Sequence, residues 1–144
     1  MVYTAVTYQP GYPGVTRNSR LFRTLIDSSG SLLEGTPAVE VIDDLAPQPG
    51  EPVVRGQATS GFDRTELDSI LRVAGVDTLV VAGIATDVAV ESTARAAGDL
   101  QYRTMVVSDA CVADTDEGHA NSLAVFKKWF GETPTVAEVL TALK

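Results

Sequence analysis

The stretch Thr78-Leu79-Val80-Val81-Ala82-Gly83-Ile84-Ala85-Thr86-Asp87-Val88-Ala89-Val90-Glu91-Ser92-Thr93-Ala94-Arg95-Ala96-Ala97 decides the fold class. Residues 78–82 are a continuous apolar run, which predicts a strand covered on both faces. Gly83 to Asp87 supplies a turn, and a helix is expected from about Val88 to Ala97. Side chains in the first turn of such a helix meet free backbone N–H groups and the positive end of the helix dipole. A cysteine there would be a ready nucleophile, and a carboxylate or carbonyl oxygen would find donors.

Similar units lie on either side. Upstream, Val53-Val54 begins a short strand. Thr65 then reads as a helix N-cap, with Asp68 in the first turn, Leu67, Ile70, Leu71 and Ala74 at helical spacing, and Gly75 as the stop. Downstream, Thr104–Val107 predicts a second buried strand whose end is marked by Ser108-Asp109. A helix over 116–130 places Leu123, Phe126 and Phe130 on one face and closes at Gly131. Thr135-Val136-Ala137-Glu138 is a capping box, and the helix it opens is expected to bury Val136, Val139, Leu140 and Leu143.

At the N-terminal end, residues 2–8 read as a strand that stops at Pro10-Gly11. Residues 9–50 are punctuated by Pro13-Gly14, Gly30, Gly35, Pro37 and Pro47-Gln48-Pro49-Gly50, with short helices expected at 18–26 and 37–45. An irregular region of this length reads as a binding loop or a cover. Alternating strands and helices joined by short turns imply βαβ units and a parallel sheet, an α/β fold.

The chain has 144 residues, 44% hydrophobic and 21% charged, as expected of a single globular domain over 1–144 without extensive disorder. No apolar run approaches the ~18–20 residues that span a bilayer, so no membrane association is expected. Met1-Val2-Tyr3-Thr4 lacks the pattern of a secretory signal. The single cysteine, Cys111, excludes an internal disulfide framework and a Cys-rich zinc site and points to a reducing cytoplasm. Eleven basic against nineteen acidic residues, a net charge of −8, and no Lys/Arg run argue against nucleic-acid binding. With one histidine, no His pair can form, and neither metal nor cofactor is expected.

Ligands in open α/β sheets bind beyond the carboxyl ends of the strands. Arg55–Phe62, Gly83–Ala89 and Ser108–Asp114 occupy such positions. Arg55, Phe62, Ala85, Thr86, Asp87 and Ala89 are the expected lining of a small-molecule pocket.

Residues 83–95 resemble the signature of the isochorismatase-like cysteine hydrolases, a superfamily that includes isochorismatases, nicotinamidases, N-carbamoylsarcosine amidases and ureide hydrolases. Gly35-Thr36-Pro37 with Pro49-Gly50, Ser60-Gly61-Phe62 with Thr65 and Leu67, Val107-Ser108-Asp109-Ala110-Cys111, and His119 with Leu123 extend the similarity in consistent order. The resemblance implies a Rossmann-like three-layer α/β/α fold with a mostly parallel sheet. It also implies a Cys/Asp/Lys triad that attacks amide, ureide or ester carbons.

The implied cysteine falls on Ala89, and the implied lysine at or beside Arg55 and Gly56, Gly56 lying six positions before Phe62. The implied aspartate belongs to a first strand that should lie between the strands of residues 2–8 and 78–82 and is expected to be missing. Those two strands would then pair directly, another chain would supply the strand, or the chain would be a truncated reading of a longer gene. The Asp-x-His metal motif of the nicotinamidase branch has no counterpart here.

The expected function is therefore that of a hydrolase-like but non-catalytic homologue that binds a small ligand or serves in assembly, with no metal. The alternative is a truncated or Cys-to-Ala form of an amide or ureide hydrolase. Divergent chemistry would have only Asp87, Asp109 and Arg55 to draw on. Exposed strand edges lead us to expect a homo-oligomer.

Structural duties are the simpler expectation for the remaining candidates. They are packing for Cys111, packing and hydrogen bonding for His119, capping for Asp87 and Asp109, dipole complement for Asp114, Asp116 and Glu117, and core or oligomer contact for Trp129 and Phe130.

Overall fold

The computed structural model describes residues 1–28 and 32–143; Gly30, one of the punctuating glycines, lies outside the described residues. The chain divides into two compact units, Met1–Thr65 and Glu66–Lys144. Both are mixed α/β with parallel strand pairs.

In the first unit, β1 (Tyr3–Val6) pairs in parallel with β2 (Val53–Gly56), in register from Tyr3 opposite Val53 to Val6 opposite Gly56. Tyr8 bridges instead to Leu33, its N–H donating to the Leu32 carbonyl at 2.8 Å. Between β1 and β2 lies α1 (Arg20–Asp27), in line with the helix expected at 18–26.

The helix expected at 37–45 does not form. Two short 3-10 turns, Pro37–Val39 and Asp43–Leu45, take its place. Glu40 and Ile42 are extended, and Ala46 precedes Pro47, which disfavours the helical region.

The second unit opens with α2 (Leu67–Val73), which buries Leu67 and Leu71 four residues apart. Its cap differs from expectation: Glu66 holds the N-cap position without a side-chain bond, while the Thr65 hydroxyl donates to the Gly61 carbonyl at 2.5 Å. Its end is as expected. Gly75, at φ 69°, donates to the Arg72 carbonyl while Val76 donates to Leu71, a complete Schellman motif.

β3 (Thr78–Ile84) pairs in parallel with β4 (Arg103–Val112). The register runs regularly from Thr78 opposite Arg103 to Val81 opposite Val106, then jumps so that Gly83 faces Cys111. Ser108-Asp109 therefore does not end the strand; it forms the irregular middle of a longer one.

β3 is also not covered on both faces. Val80 is 47% and Ile84 77% exposed, because alternate residues point to opposite sides and only the Val81 side packs on the core.

That core is Val90, Ala94, Val106 and Phe126, with Val81, Cys111, Leu123 and Phe130 packed against it. α3 (Glu91–Asp99) and α4 (Asp116–Trp129) bring the helical members, and the expected Leu123/Phe126/Phe130 face is the one used. Trp129, at the end of α4, is 70% exposed, with the Lys128 ammonium 4.8 Å from its ring centre.

Past α4 the chain runs along the outer edge of β4, where Val106 donates to the Glu132 carbonyl and Ser108 to that of Pro134. At Gly131 a Cβ would fall 2.0 Å from the Thr104 carbonyl oxygen. Gly131 follows the C-cap of α4, as expected of a helix stop, and it also permits this close backbone approach.

α5 (Val136–Ala142) has the expected capping box, and Asp109 on β4 accepts from its Val136 N–H at 2.7 Å. Its expected burial fails. Val136, Leu140 and Leu143 are exposed and Val139 is half-buried, since a helix this short packs against β4 along one line.

Candidate functional site

β3 delivers the chain into a tight reversal. Ala85 is extended, the Ile84–Ala85 peptide is cis, and Thr86–Val90 then winds as a π-helical turn before α3 begins at Glu91. Val88 and Val90 both donate to the Ala85 carbonyl, at 3.1 and 3.0 Å. The regular helix expected from Val88 is thus preceded by a wider turn, a feature frequent at functional sites.

Contacts from α4 hold this turn. Thr86 is 1% exposed, and its Oγ1 lies 2.9 Å from Nδ1 of His119, 33 positions away in sequence. Ser122, on the same face of α4 as His119, places its Oγ against the Glu91 carboxylate and 3.4 Å from the Thr86 carbonyl. A hydroxyl has one proton, so the closer Glu91 takes it. Glu91 also accepts from Arg95, through Nε at 2.8 Å and Nη2 at 2.5 Å, and the Arg95 guanidinium sits 4.5 Å from the Phe130 ring centre.

Asp87 is exposed, and no side-chain cap bond is made at this helix start. Its carboxylate approaches α4 where a Cβ on Gly118 would come within 2.8 Å of Oδ2. Ala85 and Ala89 are half-buried in the same turn.

The structure therefore brings Ala85, Thr86, Asp87 and Ala89 together on one reversal in the second unit. Arg55, Gly56 and Phe62 belong to the first unit. Arg55, at the end of β2, is exposed and paired with Glu40 at 3.3 Å. A Cβ on Gly56 would come 2.9 Å from the Thr65 methyl. Phe62 is half-buried, its N–H donating to the Ser60 hydroxyl at 3.2 Å.

Cys111 is half-buried on β4. Burial pushes its thiol up and the Asp109 charge adds to the rise, against a smaller lowering by the Gly83 N–H. Low-pKa, accessible thiols are the reactive ones, and Cys111 is the opposite kind. Among the described residues no group of three or more His, Cys, Asp or Glu side chains is placed to hold a metal ion, and no helix is long and apolar enough to cross a membrane.

Glu91, Gly118 and Ser122 were not singled out from the sequence. The signals available were the Glu91/Arg95 spacing of four and the His119/Ser122 spacing of three, which place each pair on one helix face without naming what they meet.

A family model described as the isochorismatase domain matches residues 3–139. The chain belongs to the isochorismatase family. The ureidoacrylate amidohydrolase RutB of Enterobacter sp. (strain 638) is 37% identical over 139 residues, covering 93% of this chain and 60% of that protein. RutB of Rhizobium rhizogenes (strain K84) is 40% identical over 104 residues, 70% of this chain and 42% of that protein. The chain thus spans about half the length of these curated isochorismatase relatives.

Among solved structures, a cysteine hydrolase from Pseudomonas syringae pv. phaseolicola superposes with a TM-score of 0.86 at 31% identity, covering 97% of this chain and 70% of that one. N-carbamoylsarcosine amidase from Thermoplasma acidophilum gives 0.75 at 32%, covering 93% and 70%. These likenesses put the α/β fold among the isochorismatase-like hydrolases.

Proposed function

We propose that this chain is a non-catalytic, hydrolase-like member of the isochorismatase family that binds a small ligand at the 85–90 turn or serves in a homo-oligomeric assembly. The observation that carries the reading is Ala89. It stands in the first helical turn after β3, where the family resemblance implies the nucleophile, and a methyl group has no lone pair and no proton to give.

Loss of the nucleophile from such a unit typically costs about 10⁶ in kcat. Cys111, raised by burial, is a poor substitute. Arg55 retains charge near the implied lysine, but a guanidinium stays protonated and this one is engaged by Glu40. A side chain at Gly56 would require the Thr65 methyl to move.

The test is ammonia release from a panel of amides and ureides, run beside calorimetry of the same compounds. The expected outcome is binding without turnover, both for the native chain and for Ala89→Cys, in which neither Arg55 nor Gly56 supplies the implied lysine. Robust hydrolysis by either protein would overturn the reading.

A second reading is favoured by the relatives themselves, named as a ureidoacrylate amidohydrolase and an N-carbamoylsarcosine amidase. It makes the chain a truncated or Cys-to-Ala form of an amide or ureide hydrolase acting on C–N bonds through a thiol. Turnover restored by Ala89→Cys would support it.

A further inference from the structure

His119 and Thr86 meet through a hydrogen bond whose polarity depends on the charge of the ring. A neutral imidazole offers one donor and one acceptor nitrogen, whereas an imidazolium offers two donors. With Nδ1 as acceptor, the Thr86 hydroxyl donates across the 2.9 Å contact. Once Nδ1 carries a proton the hydroxyl must accept, and its own proton has to be placed elsewhere. Thr86 is 1% exposed, so water cannot readily absorb that change, while His119 is half-buried and can trade protons with solvent.

We propose that neutral His119 accepts from the buried Thr86 hydroxyl at Nδ1 and, by reversing that bond when the ring is protonated, couples the Thr86–Val90 turn to solution pH. Thr86 is the first residue of the turn, and its carbonyl faces Ser122 one helical turn beyond His119. Movement at Thr86 therefore reaches the Val88 and Val90 bonds to Ala85.

The charged surroundings are defined from each packed element. The turn brings Asp87, beside Gly118. α4 itself brings Asp116 and Glu117 one turn earlier. α3 brings Glu91 and Arg95, paired at 2.5 Å. β4 brings Cys111 into the core, while its Arg103 and Asp109 are engaged by Glu132 and the Val136 N–H. The coupling is a property of the turn and does not depend on what the turn binds.

Histidine side chains ordinarily change charge between about pH 5 and 8. His119 is the single histidine in the chain, so its ring signals stand alone in a spectrum. The experiment is an NMR titration of the full, ¹⁵N- and ¹³C-labelled chain from about pH 5.5 to 8, above the ordinary carboxylate range.

The ring signal and the amides of residues 86–90 should shift together with one midpoint, while those of α5 stay still. Thr86→Ser should keep the shared shift. Thr86→Val should leave the ring titrating and silence the turn, and His119→Gln should silence it too. Turn amides that stay flat while the ring titrates, or that still shift in folded His119→Gln, would overturn the proposal. Should His119→Gln fail to fold, the native chain against Thr86→Val decides alone.

Discussion

At the start of α5, Thr135 and Glu138 satisfy each other's backbone across three residues, Thr135 accepting from the Glu138 N–H while Glu138 reaches back to that of Thr135. At the turn that opens α3 no side chain caps the helix, and the side-chain contacts come from α4, where His119 meets the Thr86 hydroxyl and Ser122 lies near the Thr86 carbonyl, 33 and 36 positions further along the chain. Both helix starts are held, one by its own sequence and the other with the help of a helix distant in sequence. The α5 start is satisfied within one turn of its own sequence, whereas the turn before α3 combines local backbone bonds to Ala85 with side-chain contacts from α4.

The sharpest way to break the distant side of this comparison is at Gly131, where the chain leaving α4 closes on β4. A Cβ there meets the Thr104 carbonyl at 2.0 Å, and backbone cannot swing aside as a side chain could. Gly131→Ala should cost about 3 kcal/mol or more, the upper range for overpacking, measured by urea unfolding followed by circular dichroism.

Thr86→Val removes the hydroxyl at nearly constant shape and leaves the half-buried Nδ1 of His119 without this partner. A loss of about 1–3 kcal/mol is expected. Thr135→Ala tests the local side and should cost about 1 kcal/mol. A Thr135→Ala loss equal to or larger than that of Thr86→Val would reverse the comparison.

The smallest effect lies in the acid limb. The Tyr102 hydroxyl, at 2.7 Å, and then Arg72 hold the Asp68 carboxyl below the usual carboxylate range. A carboxylate depressed in the folded state adds stability above its ordinary pKa and loses it as pH falls through the lowered value. Asp68→Asn should therefore flatten the fall in unfolding midpoint below about pH 4, leaving the slope between pH 6 and 8 unchanged.

The same division explains what was legible. The capping box, the Gly75 stop and the Leu123/Phe126/Phe130 face were readable because their partners lie within a few residues. The motif at 83–95 carried the family. The cap at Thr65 was not legible, because its hydroxyl turns to Gly61 instead of the helix. The extension of β4 past Ser108 depends on an irregular pairing with β3 that no local pattern encodes. The burial expected of Leu140 and Leu143 failed because apolar character states a preference, while a seven-residue helix offers only one line of contact.

Trp129 is the single tryptophan and already lies open at the end of α4, beneath the Lys128 ammonium. Its indole fluorescence should therefore emit near the wavelength of a hydrated ring in the native state as well as the denatured one. An unfolding curve followed through that emission would show little change while the Phe126 core came apart, and a ligand settling at the 85–90 turn would leave the signal unmoved.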